Sequence, residues 1–469
     1  MSAIGLELGL GALILVVFFA GLFGPRDDSR RVGVIAAVGL VLLLGAALRA
    51  EPGGDLLGGS FVQDELAVFA KRLFLLATVL GIVGSLTLRA PVFARRATEY
   101  YLLILMSLLG MMVLASAREL ILLFVAFELM SIPLYVLSGF QKREPEAVEA
   151  ALKFFLVGTV SSAVMVYGLS FVYGIAQTTE VAGIGRALSE GHPLVVLGLV
   201  LVLAGLGFKI AAFPFHMWVP DTYEAANTPF VAWLSVAPKA AGFVVMFRLY
   251  LEGMGEGVLM WESLAGGLAA ITIVAGNLMA IPQQNIKRML AYSGIAHIGY
   301  MLVGFAAVSA SGVAMMLFYL VAYLFGNMGA FLVVEAVAQS EGSDGIAAYR
   351  GLAQRSPVLA LCMLLFLLSL GGIPFVAGFW AKLYIFLAAA EKRLYWLVLL
   401  GAVLTVVALF YYLLVAKRMY IDAPDRPGPL HVPFLLKLGI AGCAVGVVAL
   451  GIYPSPLVLA VRKVANTLF

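Results

Sequence analysis

The run PVLALCMLLFLLSLGGIPFVAGFWAKLYIFLAAA, residues 357–390, decides the class of this chain. No charge interrupts it before Lys382. As one straight helix it would measure roughly 50 Å, well beyond the ~30 Å hydrocarbon core of a bilayer. Gly371-Gly372-Ile373-Pro374 falls near its middle, and proline removes a backbone donor there. The run reads as a membrane helix broken into two halves, with a lysine on the second.

Apolar stretches of membrane-spanning length recur on both sides of it, at approximately 4–23, 32–48, 66–88, 99–117, 120–140, 151–176, 193–218, 229–250, 262–282, 287–308, 312–338, 394–420 and 433–453. With 357–390 they predict an all-α integral membrane protein of about fourteen transmembrane helices. Composition agrees: 63% of residues are hydrophobic and 12% charged, against roughly 25% charged in soluble domains. The first stretch has neither a basic leading segment nor a small-x-small cleavage site, so it is kept as a span rather than a signal peptide.

Other function classes fall away on the same grounds. Two cysteines, Cys362 and Cys443, both inside apolar stretches, give no zinc or iron–sulfur spacing. Neither a dinucleotide fingerprint nor a Walker sequence opens a helix, so the chain is expected to hold no nucleotide. The net charge of +4 reflects loop arginines that set topology, not binding of nucleic acid. Alternate connections carry about 15 Lys and Arg on one side, Arg26, Arg89, Lys287, Arg288 and Arg350 among them, and about 7 on the other. The rich side reads as cytoplasmic, with both termini outward.

The stretch 193–218 holds Gly205, Gly207 and Pro214 where 357–390 holds its own break. Phe213-Pro214-Phe215-His216-Met217-Trp218 matches Ile373-Pro374-Phe375 followed by Phe379-Trp380, each beside a lysine, Lys209 and Lys382. The predicted organisation is a three-helix segment 1–98, two inverted five-helix repeats at 99–250 and 262–420 with helices 7 and 12 discontinuous, and a last helix in 421–469. Interrupted helices at corresponding positions of two halves point to a transport site.

Several ionisable groups sit deep in these spans. Glu128 lies near the middle of 120–140, and Lys239, directly after Pro238, is similarly placed in 229–250. A charge at the helix centre costs roughly 2.5 to 3.5 kcal/mol to insert, so these side chains should face protein, water or one another. Polar stripes accompany them: Glu128, Ser131 and Tyr135; Ser293, His297 and Tyr300; Tyr319, Tyr323 and Asn327. Structural pairing is the bland alternative for this set. Lys153, a few residues into its span, has snorkelling as its lesser alternative, and His216 and His297 read equally as hydrogen-bonded core histidines or as proton relays. Moving one proton against ~150 to 200 mV requires roughly 3.5 to 4.6 kcal/mol, a pKa swing of about three units. Burial and the approach or departure of a carboxylate act on a lysine on that scale.

The run Phe208-Lys209-Ile210-Ala211-Ala212-Phe213-Pro214-Phe215-His216-Met217-Trp218-Val219-Pro220-Asp221-Thr222-Tyr223-Glu224 resembles the antiporter-like membrane subunits of complex I, the proton-pumping NADH:quinone oxidoreductase. Ser235-Val236-Ala237-Pro238-Lys239, Glu128-Leu129-Met130-Ser131, Lys153-Phe154-Phe155 and Phe379-Trp380-Ala381-Lys382 extend the resemblance, which is nearer to the N branch than to L or M. Ala225-Ala226-Asn227 departs from the usual Gly-Ala-Pro, and no long amphipathic helix of the L type follows residue 453. The resemblance implies that Glu128 and Lys209 form a modulating pair, that Lys239 is the central proton carrier, and that Lys382 is nearest the outer exit. Lys153, His216 and His297 would join the same hydrophilic axis.

It also implies a bacterial inner-membrane subunit of a translocase that carries no cofactor itself. NADH, FMN, iron–sulfur clusters and quinone would sit on partner subunits, and subunits M, L, A, J and K would be its neighbours in the bilayer. The sequence leaves two alternatives: a subunit of a multisubunit sodium/proton antiporter, and a scaffold that transports nothing.

Overall fold

A computed structural model describes residues 3–24, 29–88, 90–189, 193–253, 259–426 and 428–469. Arg26 and Arg89, counted above for orientation, lie outside them. The helices in chain order are α1 (Gly5–Phe23), α2 (Ser29–Arg49), α3 (Glu65–Ser85), α4 (Pro91–Arg95), α5 (Ala97–Ser116), α6 (Leu120–Ser138), α7 (Pro145–Ala176), α8 (Val181–Ser189), α9 (Pro193–Ile210), α10 (Trp218–Ala225) and α11 (Thr228–Leu234). There follow α12 (Ala237–Met246), α13 (Leu259–Ala280), α14 (Ile286–Ala306), α15 (Ala310–Glu341), α16 (Leu352–Arg355), α17 (Pro357–Gly371), α18 (Ala377–Glu391), α19 (Tyr395–Tyr420), α20 (Phe434–Ile452) and α21 (Ser455–Ala465). A two-stranded ribbon, β1 (Asp55–Leu56) paired with β2 (Phe61–Val62), is the only sheet among the described residues.

Thirteen helical segments among the described residues are long and apolar enough to span a bilayer, Thr228–Glu252 counted as one. The run 357–390 is not among them, because it forms α17 and α18, two helices of 15 residues each. Large apolar side chains such as Leu42, Leu156 and Val406 are exposed, while 28 polar or charged residues among the described ones are buried. A chain bathed in lipid has this pattern, since hydrocarbon offers no partner to a polar group.

Local chemistry starts and stops the helices. Asp64 caps α3 by accepting from the Ala67 amide at 2.8 Å, Asn285 caps α14 and Ser309 caps α15. Each side-chain oxygen satisfies a backbone donor that the first turn leaves open. Proline opens α7 and α17 at Pro145 and Pro357, where its missing N–H costs nothing.

The breaks differ in detail from the sequence reading. In 193–218 the helix is intact to Ile210, and the non-helical part is 211–217, beginning with a left-handed Ala211. Pro214 disfavours helix for the residue before it, so the chain straightens there and restarts at Trp218. A further interruption falls in 229–250, which the sequence reading kept whole. Helix α11 stops at Leu234 and α12 begins at Ala237, with Pro238 in its first turn, where the ring is tolerated. Residues Phe247–Glu252 continue α12 as a π-helical turn.

By internal packing the chain forms two compact units, one of residues 1–210, 237–260 and 466–469, the other of residues 211–236 and 261–465. The first holds α1 to α9 and α12; the second holds α10, α11 and the helices from α13 onward. Segment 211–236, drawn within the first repeat from sequence, packs with the second unit.

Candidate functional site

In the first unit, Lys209 stands in the last turn of α9, where carbonyls lack partners and a cation is favoured. Its side chain is 2% exposed, and its ammonium donates to Ser131 Oγ at 2.8 Å while lying 5.2 Å from the centre of the Phe127 ring. Glu128, one turn before Ser131 on α6, accepts from Ser162 Oγ of α7 at 2.6 Å. The two charges implied to pair are thus within electrostatic reach, but Lys209 donates to Ser131 and Glu128 accepts from Ser162 rather than the two meeting directly.

Lys239 occupies the first turn of α12 and is 1% exposed. Three residues on, Gly242 lets α12 approach the end of α9: a Cβ there would lie 2.7 Å from Ile210 Cγ2 and 3.6 Å from Lys209 Cγ. The stem of Lys209 therefore passes within one helical turn of Lys239. Gly242→Val is expected to lower the thermal stability of the purified complex by overpacking, on the order of 1 to 3 kcal/mol, and to separate the two lysines. Unchanged melting and pumping of that variant would show that the close approach is not needed.

Lys153 is placed differently. Its side chain is 48% exposed and reaches Glu149, one turn back on α7, at 2.7 Å.

In the second unit, the break between α17 and α18 builds its own cation site. Gly372, at φ +82°, ends α17 in the left-handed conformation that glycine adopts without penalty. Lys382 of α18, 4% exposed, donates to the last carbonyls of α17, Leu370 O at 2.9 Å and Gly371 O at 3.3 Å, and lies 4.7 Å from the centre of the Tyr300 ring. A continuous helix would have consumed those carbonyls internally. The interruption is what makes a lysine stable there.

His297 of α14 is 3% exposed, with Nδ1 2.6 Å from Tyr319 Oη and Nε2 3.3 Å from Tyr412 Oη. Tyr412 continues to Ser293 Oγ at 2.5 Å. Beside this chain, Tyr300 receives hydrogen bonds from Thr405 and Asn277, and Tyr411 donates to Asn277 Oδ1 at 3.1 Å. A ladder of hydroxyls, an imidazole and an amide thus surrounds the ring that faces Lys382, and such groups can both give and accept a proton. Two of the three sequence stripes meet here. Asn327, also of the third stripe, donates to Ser235 Oγ at 2.6 Å. His216 is buried in the 211–217 segment, its ring stacked on Phe213 at 5.1 Å and apart from this ladder.

Three groups escaped the sequence reading. Glu335 of α15 is buried and hydrogen-bonded by Gln339 at 2.7 Å and by Thr228. Glu7 and Lys71 form a buried ion pair of 2.7 Å between α1 and α3. Arg248, completely buried in the π-helical turn, binds Asp64 at 2.7 Å, Glu252, and Ala115 O at 2.7 Å. Burial alone would raise the Asp64 carboxyl, but the Arg248 guanidinium holds it below the usual carboxylate range. The signal for all three was present, a charge inside an apolar stretch. Each lies close to the end of its stretch, where snorkelling is the ordinary explanation.

Residues 117–408 match the family described as "NADH:quinone oxidoreductase/Mrp antiporter, TM". NADH-quinone oxidoreductase subunit N of Moorella thermoacetica is 42% identical over 465 residues, covering 98% of this chain and 96% of its own. A chain of respiratory complex I from Thermus thermophilus with bound aureothin superposes with a TM-score of 0.83 at 32% identity, covering 97% of this chain and 99% of its own. A chain of the Mrp complex from Dietzia sp. DQ12-45-1b shares the fold, with a TM-score of 0.88 at 20% identity over 99% of this chain and 97% of its own. Together with the broken helices and the buried lysines, these likenesses place the chain in the NADH:quinone oxidoreductase/Mrp antiporter membrane family, among the subunit N relatives of NADH-quinone oxidoreductase.

Proposed function

We propose that this chain is a proton-translocating membrane subunit of an NADH:quinone oxidoreductase, and that it moves protons through Glu128, Lys209, Lys239 and Lys382. The observation that carries the reading is that all three lysines are at most 4% exposed, and that two of them stand at interrupted helix ends. Such sites hold an ammonium by backbone carbonyls and hydroxyls rather than by a permanent salt bridge, so that losing the proton leaves no unpaired carboxylate behind. The His297 and Tyr300 ladder supplies hydrogen-bonded steps beside Lys382.

Electron transfer from NADH to quinone takes place on partner subunits that hold FMN, iron–sulfur clusters and the quinone. The chain lies in a bacterial cytoplasmic membrane with both termini outward, beside antiporter-like subunits M and L and the small subunits A, J and K. The sodium/proton antiporter alternative rests on a shared fold at 20% identity, whereas the 42% identical relative favours the oxidoreductase.

The test is a subunit carrying E128Q, K209M, K239M and K382M together in the complete complex. NADH-driven proton pumping should be lost while native gels still show assembly. Normal pumping would leave the scaffold reading.

A further inference from the structure

We infer that Glu7 and Lys71 form a second proton-carrying pair, which releases protons from the level of Lys239 toward the end of the helices that bears Asp64, Arg118 and Glu252. This rests on the proposed proton-translocating function and adds an outlet apart from Lys382.

The pair is hard to explain as packing. Its side chains are 0% and 3% exposed, on two helices made mostly of apolar residues. A buried ion pair is often no better for stability than well-packed apolar residues of the same volume, and ionisable groups inside a membrane are functional by default. Helix α3 is already fastened at its start, because its cap Asp64 is clamped by Arg248 at the end of α12.

Depth sets the connection. Lys71 lies seven residues into the membrane from Asp64 along α3, roughly 10 Å. Lys239 lies nine residues from Arg248 along the helix that runs the opposite way, roughly 13 Å. Helix α3 packs against α12, so the two lysines stand at nearly one level on neighbouring helices. From Lys71 toward the surface the charges continue. Asp64 acts electrostatically on Lys71, Arg248 binds both Asp64 and Glu252, and Arg118 binds Asp64 at 2.9 Å and Glu252 at 3.2 Å. Arg118 and Glu252 in turn line a surface cavity of about 730 Å³ together with Glu180.

The transfer balances without any redox change. A proton arriving from the Lys239 side protonates the Glu7 carboxylate, leaving a neutral acid beside the Lys71 ammonium. The ammonium gives one N–H proton to water on the Asp64 side. The acid then passes its proton across the 2.7 Å gap to the free amine, which restores carboxylate and ammonium. One proton has entered and one has left.

Two variants of the complete complex test this. Lys71→Arg keeps the charge and the partner but cannot give up its proton at any working pH. The double variant E7L/K71M replaces the pair by apolar groups of similar volume. Both should assemble on native gels and pump about tenfold or more slowly than wild type. Wild-type pumping by either one overturns the inference, and failure of the double variant to assemble overturns it as well, because the pair would then be structural. Lys239→Ala, measured beside them, separates the two levels: normal pumping there sinks the proposed function, whereas loss there with normal pumping in the Lys71 variants sinks only the second pair.

Discussion

Lys239→Arg is expected to assemble and yet to slow NADH-driven proton pumping about tenfold or more, against the roughly hundredfold or more that a positioned proton-transfer group contributes. The reasoning turns on what arginine keeps and what it loses. The positive charge stays in the first turn of α12, one turn from Gly242 and the stem of Lys209, so any purely electrostatic or structural role is preserved. A guanidinium cannot be deprotonated in a protein, so a carrier role is lost. Because the site is 1% exposed, the larger head group also overpacks it, and Lys239→Met serves as the control of similar volume. Inverted membrane vesicles with a pH-sensitive dye read pumping, and native gels read assembly. Should both variants pump at the wild-type rate, Lys239 carries no protons.

The second large effect is expected at the break between α17 and α18. Lys382→Met removes the ammonium that holds Leu370 O and Gly371 O, leaving carbonyls at membrane depth without it at about 1 to 3 kcal/mol each. Pumping should fall about tenfold or more, as for Lys239, and the complex should also melt earlier. Gly372→Ala separates these consequences. It keeps the lysine but forces a side chain into the left-handed region at roughly 1 to 2 kcal/mol, and the new Cβ would sit 2.9 Å from Lys382 Cδ. Displacing the ammonium should reduce pumping by less than its removal does. Equal melting of Lys382→Met and wild type would show that the lysine is not the cap of α17.

The residues most enclosed by protein, those of α12, α14 and α15, carry Lys239, His297 and the tyrosine stripe. Helices such as α1, α2 and α20 expose long apolar faces instead. Sequence periodicity reported little of this, because a membrane chain is apolar on both its lipid and its protein faces. Lys153 illustrates the consequence. Its place near the start of an apolar stretch admitted both an interior and a snorkelling reading, and the fold leaves its side chain 48% exposed and paired with Glu149.

By itself, the sequence determined that the chain is a membrane bundle, which helix near the C-terminal end is broken, and that lysines such as Lys209, Lys239 and Lys382 lie inside apolar stretches, though not that Lys71 is buried as deeply. Length, hydropathy and the Gly-Gly-x-Pro interruption are local properties, and a bilayer leaves a chain of that composition one class of fold. Tertiary structure alone decided that Lys209 reaches Ser131, that Lys382 rests on the carbonyls of α17, and that Glu7 meets Lys71. These are contacts between residues 11 to 78 positions apart, and their geometry depends on where neighbouring helices end. A break that a proline merely permits becomes a site only when another helix brings a charge to it.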